Sequence, residues 1–104
     1  MLRIEPVGLE IIQMLRPTIE QLHRRDRNLA DQLDRASTSV VLNLAEGTAA
    51  RGASRRHCYE VALREARESV AALRVAAAKG RVSKPEGIDT RFDHVIGVLV
   101  KLTR

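Results

Sequence analysis

The sequence predicts an all-α fold, and three observations carry that reading. Arg, Ala and Leu are the commonest of the 104 residues, and all three favour helix. Aromatic residues, which strands prefer, are nearly absent: one Tyr, one Phe and no Trp. Apolar residues recur at three- and four-residue steps in four successive stretches divided by Pro, Gly or polar signals. At this length residues 1–104 form one domain. Folded alone it would bury only ~60–68% of its unfolded surface, so association with further copies would help.

The first predicted helix covers residues 6–25. Pro6 suits its first turn, and Ile4, Ile11, Leu15 and Leu22 make its seam, with Ile12 and Ile19 beside them. Pro17 lacks a backbone donor and is expected to kink this helix or divide it. Asn28 is the expected N-cap of the second helix, with Asp31 in its first turn, and that helix runs to about Ala50. Gly47 either ends it early or lets another backbone approach closely. Thr48 to Ser54 is the expected loop. The third helix spans Ser54 to Lys79, with Tyr59, Ala62, Leu63, Ala66, Val70, Leu73 and Ala77 on one stripe and Gly80 as its C′ residue. Ser83, with Pro85 and Glu86, resembles a capping box for the fourth helix, and Asp89 is the alternative cap. Ile88, Phe92, Val95, Leu99 and Leu102 form that helix's seam.

The second helix organises the chain. Leu29, Leu33, Ala36, Val40 and Leu44 line one face, while Val41, Leu42 and Ala45 point elsewhere. A helix outside a small monomer needs only one apolar stripe, so a second copy of the chain is the expected cover. Between the apolar faces Arg35, Ser39, Asn43 and Glu46 fall within roughly 80° of one another. Burying an amide and a carboxylate without partners costs several kcal/mol each. Arg35 or Arg51, from this chain or a neighbouring copy, is the natural partner of Glu46. We read the stripe as a structural polar network rather than a catalytic carboxylate, because no second acid, His or nucleophile stands at a fixed short spacing from Glu46.

Composition narrows the function classes. The net charge is +5 with a pI near 10.3, and only three of the 18 basic residues are Lys. Such a balance points to acidic partners such as nucleic acid, and equally to a compositional bias towards Arg. A single Cys excludes an internal disulfide and suits a reducing cytoplasm. The N-terminus has Glu5 and Glu10 within its apolar run and no cleavage-site pattern, so it does not read as a signal peptide. No 18-residue apolar run exists, so no membrane span is expected. His23, His57 and His94 sit on three helices without ligand spacing, and Cys58 reads as a small packed residue. No metal, cofactor or enzymatic activity is expected.

With RPTIEQLHRRDRNLADQL before it and YEVALREARESVAALRVAAAKG after it, the stretch DQLDRASTSVVLNLAEG resembles the bacterial four helix bundle protein family, which includes proteins encoded within intervening sequences of 23S ribosomal RNA genes. The matching positions are Arg35, Ala36, Ser39, Asn43, Ala45, Glu46, Gly47 and Arg51. The resemblance implies an antiparallel up-and-down four-helix bundle, assembled as a ring-like homopentamer and without established enzymatic activity. A similar fold serves the accessory protein of diversity-generating retroelements, which is basic and engages nucleic acid and a reverse transcriptase. One departure stands out. Arg64-Glu65 replaces a Gly-Ser pair usual in the third helix, while Glu68 a turn later is kept. Either that face is wet here or its packing differs.

Two function classes follow: a basic oligomeric scaffold binding RNA or DNA through phosphates, and a structural adaptor with a protein partner. In an up-and-down bundle Arg24, Arg25 and Arg27 lie at one end, and Arg51, Arg55 and Arg56 at the other. The second group is the expected nucleic-acid contact, because helix N-termini add positive charge beside it.

Overall fold

The computed structural model describes residues 4–104 and contains four helices: α1 Glu5–Arg25, α2 Arg27–Ala49, α3 Gly52–Ala78 and α4 Ile88–Thr103. Each helix packs on its neighbours in sequence and α4 returns to α1, with the most extensive packing between α2 and α3. The result is an all-α bundle consistent with an up-and-down arrangement, 42 × 23 × 20 Å across its axes. The long axis matches α3, whose 27 residues span ~40 Å at 1.5 Å each. The predicted seams meet at the centre: Leu15, Leu22, Leu33, Leu44, Leu73, Ile88, Phe92, Val95 and Leu99 are fully buried. No described helix is long and apolar enough to cross a membrane.

Four local expectations need correction. First, α1 is not divided at Pro17 but runs through it. Pro17 is exposed while Leu15, Thr18 and Leu22 are buried beside it; packing on both sides holds the helix across one missing donor. Second, the α2 cap is Asp26, not Asn28. Asp26 is the only residue between α1 and α2, with φ −157° and ψ 86°, and its Oδ1 accepts from the Leu29 N–H at 3.2 Å. Asn28 and Arg27 therefore lie inside the first turn, and Asp31 lies beyond it.

Third, the α2–α3 connection is only Ala50 and Arg51, shorter than Thr48–Ser54. Gly47 neither ends α2 nor admits a backbone. It meets an aromatic ring: a Cβ there would lie 2.5 Å from Cε1 of Tyr59. Fourth, neither Ser83 nor Asp89 caps α4. Gly87, at φ +83°, holds that position in a conformation open mainly to glycine, and Asp89 pairs with Lys84 at 2.8 Å instead. The end of α3 is as expected. Gly80 has φ +71°, its N–H bonds to Ala77 O, and the Arg81 N–H bonds to Ala76 O, which is the Schellman pattern.

Candidate nucleic-acid interface

The polar stripe of α2 lies on an open face of the single chain. Glu46 is exposed, and neighbouring Leu42 is 61% exposed. Ser39 and Asn43 satisfy each other locally, with Asn43 Nδ2 donating to Ser39 O at 2.9 Å and to Ser39 Oγ at 3.1 Å. Arg35 turns away from Glu46 towards α3. Its Nη1 donates to Glu65 Oε2 at 3.3 Å and its Nη2 to Glu68 Oε1 at 2.6 Å. Neither the Glu46 nor the Arg51 side chain has a hydrogen bond or ion pair among the described residues. Within one chain, then, the stripe is two separate units, an interhelical clamp at Arg35 and a local Ser39–Asn43 pair.

The clamp explains the departure at Arg64-Glu65. Glu65 is buried at 7% exposure, between Arg35 across the interface and Arg64 on its own helix at 3.7 Å, while the Arg64 side chain stays in solvent. The packing differs at this position: the Glu65 carboxylate is buried and meets a cation from α2, while the Arg35 and Arg64 side chains stay largely in solvent. Sequence reading missed this role for Glu65. The available signal was an acid at a position of close packing with Arg35 on the helix opposite.

The six arginines expected to contact phosphate fall at opposite ends of the bundle. At the α2–α3 end, Arg55 Nε donates to Ala50 O at 2.8 Å and Gly47 O at 3.1 Å, and its Nη2 donates to Thr48 O at 3.3 Å. Arg56 donates to Thr103 O and Arg104 O and lies 3.6 Å from Glu60. Both guanidiniums thus close helix C-termini, Arg55 that of α2 and Arg56 that of α4. There they meet carbonyls without intrahelical donors, and the negative end of each helix dipole. Arg51 alone of this group has no such partner.

At the α1–α2 end, Arg25 Nη1 donates to Arg81 O at 2.9 Å, tying α1 to the turn after α3. Lys79 Nζ reaches Asp26 Oδ2 at 3.4 Å. The Leu29 N–H, followed by Lys79, holds the Asp26 carboxyl below its ordinary value. Arg24 and Arg27 are exposed, and their side chains carry no hydrogen bond or ion pair among the described residues. His23, His57 and His94 are exposed and Cys58 is half-buried, and the described residues hold no group of three potential metal ligands.

Neither a curated protein nor a solved structure matches this chain. Residues 9–100 match the family model described as 23S rRNA-intervening sequence protein. That match spans nearly all of α1 through α4, including the Arg35–Glu65 clamp and both arginine-bearing ends, and the chain belongs to the 23S rRNA-intervening sequence protein family.

Proposed function

We propose that the chain is a non-enzymatic, self-associating helical scaffold that holds RNA or DNA through its phosphates. The observation that carries this reading is the set of guanidiniums at the bundle ends that face solvent without a carboxylate, Arg24 and Arg27 among them. With a net charge of +5 per chain, assembly multiplies a field that attracts polyanions. Tyr59 and Phe92, the only aromatics, are 7% and 2% exposed. Base stacking therefore contributes little, and contacts go to the backbone without sequence preference. Self-association draws support from the open α2 face around Leu42 and Glu46, and five copies is the number implied by the family resemblance. A protein adaptor would instead use Leu9, Leu42 and Val75, the exposed large apolar residues among the described residues, which lie on three different helices.

Fluorescence anisotropy with labelled RNA and DNA tests the binding. Affinity should fall linearly with salt on logarithmic axes between about 50 and 200 mM, similarly for unrelated sequences. No binding at about 50 mM overturns it and favours the adaptor. Light scattering tests the assembly: a mass of 11.6 kDa, that of one chain, at micromolar concentration overturns it.

A further inference from the structure

We infer that the phosphate-binding face is the end where α1 passes into α2 and α3 turns towards α4, with Arg24, Arg27 and Arg81 as its contacts, and that Arg55 and Arg56 at the opposite end are structural. This assignment rests on the nucleic-acid reading above and says where on the molecule it acts.

Helix dipoles do not choose between the ends. In an antiparallel bundle each end carries two helix N-termini and two C-termini, so their partial charges largely offset. Side chains decide. At the α2–α3 end, Arg55 is held by three carbonyls and Arg56 by two. Turning either guanidinium to a phosphate would strip the C-terminus of a helix of its donors. That leaves Arg51 as the one arginine of the group free to bind.

The α1–α2 end is arranged the other way. Its segments 23–27 and 79–89 carry Arg24, Arg25, Arg27, Lys79, Arg81 and Lys84 against Asp26, Glu86 and Asp89. The two lysines take two of those acids, Lys79 pairing with Asp26 and Lys84 with Asp89. The arginines are therefore left in excess. Arg24 and Arg27 lie on either side of Asp26, in the last turn of α1 and the first turn of α2. Arg25 brings the third in by its 2.9 Å bond to the Arg81 carbonyl. The Arg81 side chain is exposed and unpaired among the described residues, and its charge also acts on Asp26. Three exposed guanidiniums from three segments thus stand at one end of the bundle, each able to bind a phosphate bidentately.

The test uses the full chain and a labelled single-stranded RNA. Each of Arg24→Gln, Arg27→Gln and Arg81→Gln should flatten the salt slope by about 0.7, so that the affinity lost between 50 and 200 mM salt shrinks roughly 2.6-fold per contact removed. The triple variant should lose about two units of slope, the triple Arg→Lys variant should keep its slope, and Arg51→Gln should match the unmodified protein. Thermal melting of Arg24→Gln and Arg27→Gln should be unchanged, since these side chains make no internal bonds. A triple variant that keeps the full slope while Arg51→Gln weakens binding overturns the assignment and leaves the function intact. A wild-type protein that does not bind at about 50 mM salt overturns both.

Discussion

The two ends of the bundle are both rich in arginine, yet they use it differently. At the α2–α3 end the chain reverses in two residues, and the last carbonyls of α2 and α4 lie beside the first turns of α3. Arg55 and Arg56 stand at those carbonyls and become caps. At the other end the reversal needs only Asp26 between α1 and α2, and Gly80 closes α3 with backbone bonds. The α2 N-terminus is satisfied by a carboxylate and the α3 C-terminus by the Schellman turn, so Arg24, Arg27 and Arg81 have no capping work to do. An arginine is available to a ligand only where something else has already closed the nearby helix.

The largest expected effect concerns the tight end. Tyr59 fills the space over Gly47, so Tyr59→Ala should cost about 3 kcal/mol in urea unfolding. Gly47→Ala should also destabilise, because its Cβ would meet the ring. In the Tyr59→Ala background the same change should instead stabilise, by up to ~1 kcal/mol from helix propensity. Additive losses would mean that the ring and the glycine are not coupled.

A smaller effect separates the arginines directly. Arg55→Ala should cost about 1 kcal/mol of stability, since carbonyls at the end of α2 lose a charged donor. Arg24→Ala should stay within ~0.5 kcal/mol, as expected for a surface side chain without partners. Equal melting temperatures for the two variants would remove the distinction between a structural and an open end.

The smallest effect is the pH dependence of the α1–α2 junction. The Asp26 carboxyl is held below its ordinary value in the folded chain, chiefly by the Leu29 N–H. A lowered folded value means stability that is complete above the unfolded value near ~3.9 and is lost as pH falls through the folded one. Asp26→Asn keeps a capping oxygen but not the charge. It should melt slightly lower than the unmodified chain at pH 7, and the two curves should converge in acid. A difference that stays constant down to about pH 2 would show that the charge does not contribute.

Much of this was legible in the sequence. The seams of all four helices, the Gly80 turn and the family came from period and motif. The caps were misplaced where two residues of the same chemistry stood close together, as with Asp26 and Asn28, because side-chain preference does not fix which one leaves the helix. Pro17 does not divide α1 for a related reason: the cost of one missing bond is local, whereas Leu15 and Leu22 on either side are buried by other helices. The position of Glu65 hinted at a role, but its burial was not legible without its partner, since it depends on Arg35, thirty residues away.

What the sequence determined by itself was the set of amphipathic helices, because the 3.6-residue period is a property of the chain and needs no neighbour. What only the tertiary structure decided was the role of each charge. Arg24 and Arg55 are the same residue at the same kind of place, an exposed helix end. One is open and the other closes α2 because of which carbonyls the fold brings within hydrogen-bond reach, and hydrogen bonding acts over about 3 Å in space, whatever the separation in sequence.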